Sequence, residues 1–332
     1  MLNLRKRIPT IMDADEILDK AFRRAVKIDA EGDSKFDMIQ RKSGARIMAT
    51  ADIISTILIK YNRAFPSLND RNEFVAELIN VLIGVDELKK ALSKLEWAAQ
   101  KVSELQREYT GKVRRATDLD SMDNERKQYY GRISSVLKRI DKDLKFLQMA
   151  REELRKVPDF DNSMPAVVIA GFPNVGKSQL VDRISTAKPQ IAAYPFTTQG
   201  IGVGHFEKGW RKFQIIDTPG LLDRPLEDRN EIELQAVLAL KHLADVIVFV
   251  LDPSETSGYS YEKQLHLLES IKKSFDGIPM IEVENKVDLV RTDSDRIKIS
   301  AMAGENLDEL RDEIVRVLKS TEAAAMPMEP LA

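Results

Sequence analysis

The chain of 332 residues contains no cysteine. That excludes disulfides, thiolate nucleophiles and cysteine-held metals, and it suits a reducing, cytoplasmic setting. Histidine is scarce as well: His205, His242 and His266 are the whole supply, too few to suggest a zinc site. Aromatic residues make up only 6% of the chain, so base stacking on single strands is not indicated. The longest apolar stretch, "ADVIVFVL" (244–251), falls far short of the ~20 residues needed to cross a bilayer. The opening "MLNLRKRIPT" has basic residues with no apolar segment behind them, which argues against a secretory signal.

Charge of one sign is also lacking, since the net charge is −2. Its distribution is more informative. Residues 1–160 hold 32 basic and 26 acidic side chains, whereas residues 161–332 hold 19 and 27. Such asymmetry fits a first half that faces a polyanion, or helix faces that are merely solvated. The length predicts two domains.

The two halves carry different hydrophobic periods. Residues 13–157 read as helical throughout. "DADEILDKAFRRAVKI" opens with Asp13 and Glu16 at capping-box spacing, although that box normally begins with Ser or Thr. Further helices are expected over 36–64, 71–84 and 86–110, with "PSLND" (66–70) as a break. A last long helix over about 121–156 places Ile133, Val136, Leu137, Ile140, Leu144 and Leu147 on one stripe, and Pro158 stops it.

From residue 165 the period changes. "AVVIAG" (166–171) is a short continuous apolar run, as for a strand buried on both faces. "GVGHF" and "RKFQIID" flank "EKGW", a hairpin signal. "ADVIVFVLD", "PMIEVEN" and "RIKIS" are further strands, with helices at 177–185, 231–243, 261–274 and 307–319 between them. Alternating strands and helices predict a mostly parallel sheet with helices on both faces.

Four short motifs punctuate this half, each after an expected strand. "GFPNVGKS" (171–178) fits G-x-x-x-x-G-K-[ST]. The chemistry requires glycines so that backbone N–H groups of about 174–179 can converge on a phosphate. Gly171, Asn174, Val175, Gly176, Lys177, Ser178 and Gln179 form this candidate cradle. A helix beginning near Lys177 adds its positive end, the Lys177 ammonium neutralises β- and γ-phosphate oxygens, and the Ser178 hydroxyl reaches Mg²⁺. "DTPG" (217–220) follows the next core strand. Asp217 can hold a Mg²⁺-bound water, and the Gly220 N–H can meet a γ-phosphate and swing away when it leaves. "NKVD" (285–288) selects the base: the Asp288 carboxylate accepts from N1–H and the 2-amino group of guanine, which adenine lacks. Asn285 either touches the purine edge or braces the loop, and the Lys286 stem stacks on the base. "SAM" (Ser300, Ala301, Met302) offers a backbone N–H to guanine O6. Between the first two motifs, "YPFTT" (194–198) supplies a threonine to close over Mg²⁺, Thr198 in the favoured reading and Thr197 in the alternative. Together these point to GTP and GDP with Mg²⁺.

The expected fold is therefore an α/β P-loop GTPase domain over 159–322, preceded by an all-α helical bundle over 1–158 and followed by a loose tail, 323–332. "GFPNVGKSQLVDRIS", "YPFTT", "DTPGLLDRPLEDRN" and "ENKVD" behind a long-helix domain resemble the nucleolar GTP-binding protein 1 family in a short, archaeal-type form. The likeness runs from about residue 10 to 320. The stretch after the phosphate-sensing turn is its most specific part, because the phosphate loop and "YPFTT" are shared with the wider Obg-like GTPases. The resemblance implies slow GTP hydrolysis in large-ribosomal-subunit assembly, with precursor rRNA and ribosomal proteins as partners, no membrane, and a monomer off the ribosome. The long C-terminal extension of eukaryotic members has no counterpart here, so its contacts do not carry over.

Leu221 stands where a polar side chain would orient the attacking water. Enzymes resembling this group also carry a hydrophobic residue there. Asn174 matches an asparagine that helps related GTPases bind K⁺ beside the phosphates, or else it braces the loop. K⁺ would offset charge as an arginine finger does. "PLEDRN" (225–230) reads as a switch segment or as a solvated loop. RNA-facing candidates are Arg107, Lys112, Arg114 and Arg115 at a helix end, Lys138, Lys142 and Lys145 on one face of the last helix, and Arg5, Lys6 and Arg7. The alternative function is a regulatory GTPase whose helical domain binds a protein or membrane surface without RNA.

Overall fold

The computed structural model describes residues 8–66, 73–156, 161, 164–192, 194, 200–224, 227 and 229–325. These fall into two compact units. One holds the described residues within Lys6–Asn69 and Ile83–Arg155; the other holds those within Asp70–Leu82 and Lys156–Ala332.

The first unit is all helix. α1 (Ala14–Val26) begins with a true capping box: Asp13 accepts from the Glu16 N–H while Glu16 reaches back to the Asp13 N–H. Asp serves as well as Ser because any short oxygen-bearing side chain reaches the third helical N–H. α2 (Lys35–Ala64) and α4 (Val85–Arg115) are its long members. Their apolar faces bury Ile47, Ile54 and Leu58 on the one and Leu88, Leu95 and Val102 on the other. Asn62 donates across to the Leu92 carbonyl at 3.0 Å, and Gln40 donates to the carbonyls of Val113 and Arg114 at the end of α4. Between them, α3 (Glu73–Ile83) is grouped mainly with the second unit.

The single helix expected over 121–156 is two helices, α5 (Leu119–Arg139) and α6 (Asp141–Lys156), broken at Ile140. There the backbone tightens: Ile140 N–H donates to the Leu137 carbonyl at 3.1 Å. A tertiary contact lies beside the break. Asp141 turns its carboxylate to the Ala14 N–H at 3.0 Å, at the start of α1. The apolar stripe nevertheless continues across the break, so periodicity could not reveal it.

The second unit is a seven-stranded sheet in the order β2-β3-β4-β1-β5-β6-β7. Its strands are β1 (Ala166–Ala170), β2 (Gln190–Ala192), β3 (Ile201–Lys208), β4 (Arg211–Asp217), β5 (Val246–Leu251), β6 (Met280–Glu284) and β7 (Ile297–Lys298). β4, β1, β5, β6 and β7 run parallel, while β2 and β3 are antiparallel additions at one edge. β1 and β5 are buried at every position, which is why they read as unbroken apolar runs. α7 (Lys177–Ile184) follows β1, α8 (Glu231–Lys241) follows β4, α9 (Tyr261–Ser274) follows β5 and α10 (Leu307–Ala325) follows β7. The chain leaves β1 toward β2, β3 and β4 on one side, then returns past β1 to β5 on the other. The carboxyl ends of β4, β1 and β5 therefore face a topological switch point, where open α/β sheets place their ligands.

No helix among the described residues is long and apolar enough to cross a membrane.

Candidate nucleotide-binding site

All four motifs leave the same edge of the sheet. Residues 171–178 follow β1, 217–220 close β4, 285–288 follow β6 and 300–302 follow β7. β4 is parallel to β1, with Ile169 paired to Asp217, so the phosphate loop and the "DTPG" turn emerge side by side. They enclose a cleft of about 520 Å³ lined by Pro173, Asn174, Gly176, Lys177, Ser178, Gln179, Pro219, Gly220 and Asp223.

The phosphate loop is shaped by residues of positive φ, Gly171 at 137° and the two that follow in its bend. Asn174 has φ 62° and Gly176 has φ 101°. A Cβ on Gly176 would lie 2.3 Å from Asn285 Nδ2, so glycine is needed for space as well as for conformation. Gly176 also begins α7, and no side chain caps that helix. Its first N–H groups therefore present a positive end toward the cleft, where an anion is favoured. Val175 and Gly171 are buried behind the loop, while Asn174, Ser178 and Gln179 are exposed on it. Lys177 is buried, and its Nζ donates to the carbonyls of Gly171 and Phe172, both at 2.7 Å. Burial pushes the Lys177 ammonium below its ordinary pKa, against the pull of Asp217 and Asp223.

Asp217 is buried at the end of β4. Burial raises its carboxyl above the usual range, while a Ser178 hydrogen bond and the Lys177 charge act the other way. Its Oδ1 is buried with no hydrogen-bond partner. An orphaned carboxylate oxygen beside a serine hydroxyl is the donor chemistry a hard cation such as Mg²⁺ takes. The turn beyond it is fixed from below, since Thr218 Oγ1 donates to the Ile169 carbonyl at 2.7 Å and Gly171 N–H donates to the Leu222 carbonyl at 3.0 Å. Leu221 and Leu222 are fully buried. The hydrocarbon after "DTPG" is thus core, turned away from the cleft. Of "YPFTT", Tyr194 is buried; Thr197 and Thr198 lie outside the described residues.

The base-side motifs are tied to the phosphate side by one residue. Asn285 is buried; its Nδ2 donates to the Val175 carbonyl at 2.8 Å, and its Oδ1 accepts from Ala301 N–H at 2.9 Å. Both ends of its amide brace loops, which favours the bracing reading over a purine contact. Of the "SAM" residues, Ser300 and Ala301 are buried and Met302 is 70% exposed. Asp288 is exposed at the far end of the "NKVD" turn, and Lys286 holds φ 63°. Lys286 Nζ donates to Asp252 Oδ2 at 2.7 Å and to Thr256 Oγ1 at 2.9 Å. Burial works to raise the Asp252 carboxyl, yet hydrogen bonds from Lys286, Ser254 and the Ser257 N–H bring it below its ordinary value.

Sequence reasoning does not single out Asp252, Asp223 or Arg229. Asp252 has a readable signal, an acidic residue ending an apolar strand on the motif-bearing edge. Arg229 has none, because alternating charges in "PLEDRN" look solvated; yet its side chain is 1% exposed.

Of the basic candidates in the described part of the first unit, Arg107, Arg114, Arg115, Lys138, Lys142 and Lys145 are exposed and Lys112 is half-buried, and several are engaged. Lys112 pairs with Glu108 at 2.9 Å and lies over the Tyr109 ring, and Lys145 pairs with Asp141 at 2.7 Å. Lys138 is in α5, while Lys142 and Lys145 are in α6. Arg5, Lys6 and Arg7 lie outside the described residues.

Comparison with known proteins matches residues 6–161 to the NOG1 N-terminal helical domain and residues 231–288 to Nucleolar GTP-binding protein 1 (NOG1). An uncharacterized protein of Methanocaldococcus jannaschii is 40% identical over 297 residues, covering 88% of this chain and 83% of its own. The Nucleolar GTP-binding protein 1 of Drosophila melanogaster is 38% identical over 226 residues, 68% of this chain and 35% of that protein. That of Candida glabrata is 31% identical over 301 residues, 89% of this chain and 46% of that protein. The chain thus spans less than half the length of these two eukaryotic relatives.

Proposed function

This chain belongs to the nucleolar GTP-binding protein 1 family, and on that premise we propose that it is a slow GTPase acting in large-ribosomal-subunit assembly. The observation that carries the nucleotide part is the Asn285 brace, which joins the loop behind the phosphate cleft to both base-side turns. Backbone N–H groups of 174–179 take the phosphates, and Lys177 exchanges its carbonyl partners for β- and γ-phosphate oxygens. Ser178, Asp217 and Thr198 (or Thr197) would hold Mg²⁺, which would neutralise charge on those oxygens. Asp288 accepts from guanine N1–H and the 2-amino group. Because the Ala301 N–H is taken by Asn285, the donor to guanine O6 falls to Met302. Leu221 contributes no water-orienting group, so the Gly220 N–H and Lys177 stabilise the developing charge, and a K⁺, which Asn174 would hold, would add to that.

The ribosomal part rests on the family and on the excess of basic residues in the first half. Lys138 and Lys142 flank the Ile140 break on exposed positions, and phosphate contacts there make binding salt-dependent and shape-based. The chain is expected to be cytoplasmic and monomeric off the ribosome. Three measurements test the reading. Titration with guanosine and adenosine nucleotides must favour guanosine by at least ~10²-fold, the worth of a carboxylate left unpaired. Co-sedimentation with large subunits must weaken with salt and with reversal of Lys138 and Lys142; binding indifferent to both points to a protein or membrane partner instead. Equal rates in K⁺ and Na⁺ buffers would remove K⁺ from the account.

A further inference from the structure

Arg229 lies directly behind the cleft wall. Its Nη1 donates to the Gly220 carbonyl at 3.2 Å, and its Nη2 donates to Asp223 Oδ1 at 3.4 Å. Gly220 and Asp223 both line the cleft. The side chain is 1% exposed, and its Nε is buried with no hydrogen-bond partner among the described residues. Burial lowers the guanidinium pKa first, with the nearby Arg224 charge adding to that, while Asp223 and Glu233 oppose it. Keeping a charge here is costly by ordinary standards, and a fold that needed only packing would use a hydrocarbon.

The backbone of Arg229 is anchored. The next residue, Asn230, caps α8: it accepts from the Glu233 N–H at 2.8 Å, and Glu233 reaches back to the Asn230 N–H at 3.3 Å. Glu233 also accepts from Arg224 at 3.0 Å, so Arg224 is held at the same helix end. The guanidinium fork is planar, so it holds its two acceptors in a fixed relation.

The grip falls on one peptide group. The carbonyl of Gly220 is held by Arg229, and the N–H of the same peptide, that of Leu221, donates to the Thr218 carbonyl at 3.1 Å. With both its polar atoms engaged, the 220–221 peptide is pinned. The preceding peptide, which carries the Gly220 N–H, turns about the Gly220 φ of +79°, and a Cβ placed there would meet nothing within 4 Å. The amide beside the cleft that is left without such a grip is that of Gly220.

We propose that Arg229 is a positioning residue for GTP hydrolysis, supplied in cis from the segment before α8. It fixes the Gly220–Leu221 peptide and Asp223, so that the Gly220 N–H meets the γ-phosphate in one orientation, a role the buried Leu221 side chain does not fill. The inference rests on the GTPase reading above.

The test compares Arg229→Gln and Arg229→Lys with the wild type in single-turnover and steady-state GTP hydrolysis, with GDP affinity and thermal unfolding measured alongside. Misplacing the turn should lower kcat by about 10²-fold in Arg229→Gln, while KM for GTP and affinity for GDP stay within about threefold. Arg229→Lys retains the charge and one bond, and should fall between. Adding Asp223→Asn to Arg229→Gln should cost little more, because both act through one clamp. Wild-type kcat in Arg229→Gln overturns the proposal, as does an equal loss of GDP affinity in both Arg229 variants, which would mark a purely structural residue. A wild type that does not hydrolyse GTP defeats the underlying GTPase reading, and the clamp falls with it.

Discussion

Asn285 donates its side-chain amide to the carbonyl of Val175, 110 positions earlier in the chain, at 2.8 Å. The bond joins the loop after β6 to the loop after β1. Replacing Asn285 with Ala removes it and also strands the Ala301 N–H. Two buried groups left unpaired cost ~1–3 kcal/mol each. Asn285→Ala should therefore lower the melting temperature and weaken guanine-nucleotide affinity by at least ~10-fold, read by calorimetry and nucleotide titration. Gly176→Ala drives a methyl into the same amide from the other side and requires φ near +101°. It should abolish binding while leaving the helical unit's signal intact.

Leu221→Gln restores the polar side chain that many hydrolases place after this turn. The structure predicts no gain. Leu221 is fully buried, so the new amide would enter the core without partners, at ~2–3 kcal/mol. A lower melting temperature with no rise in GTP turnover is the expected result; a faster enzyme would show that the side chain can face the cleft.

Asp217 and its opposite numbers respond to pH with contrary signs. Burial raises the Asp217 carboxyl, so this group favours the fold when protonated and detracts from it as pH rises through the raised value. Asp217→Asn should accordingly raise the melting temperature at neutral pH. That advantage should shrink as pH falls toward the ordinary carboxylate range. The same change should cost ~10²-fold or more in Mg²⁺-dependent hydrolysis. Stabilisation without loss of activity would remove Asp217 from the metal site.

Asp252 and Glu284 behave the other way. For both, burial pushes the carboxyl up, but hydrogen bonds overcome it: Lys286 and Ser254 on Asp252, Thr292, Tyr261 and Ser294 on Glu284. Their folded values lie below the ordinary range, so their stabilisation is present above that range and is lost as pH falls through it. The sheet unit should unfold on acidification, and Asp252→Asn or Glu284→Gln should flatten the acid limb of a stability-against-pH curve while lowering its plateau.

In the helical unit, two buried tyrosines make a controlled pair. Tyr129 OH donates to the Ile47 carbonyl at 3.1 Å, whereas Tyr109 OH is buried without a hydrogen-bond partner. Their rings lie 5.8 Å apart, so packing is shared. Tyr129→Phe should cost about 1 kcal/mol in denaturant unfolding, and Tyr109→Phe should be neutral or stabilising by a similar amount. Equal losses would contradict the hydrogen-bond assignment.

Much of this molecule follows from order along the chain. The shift from helical to strand periodicity near residue 165, the run of strands that alternate with helices, and the four motifs at strand ends are local properties. Backbone sterics and burial of apolar faces express them directly, and strand direction then delivers all four motifs to one edge. The three-residue edge strand Gln190–Ala192 is not legible in this way, because its pairing with β3 supplies the order that its own residues do not.

What only the tertiary structure decided concerns partners distant in sequence. The helix break at Ile140 stands beside the Asp141 bond to the start of α1. Asn285 is a brace because Val175 and Ala301 arrive on either side of it, and the covered Arg229 side chain finds Gly220 and Asp223 as its acceptors. Residue type and spacing announce which groups can bond, but the choice among acceptors depends on which atoms close packing brings within about 3 Å, and that distance is set by the whole fold.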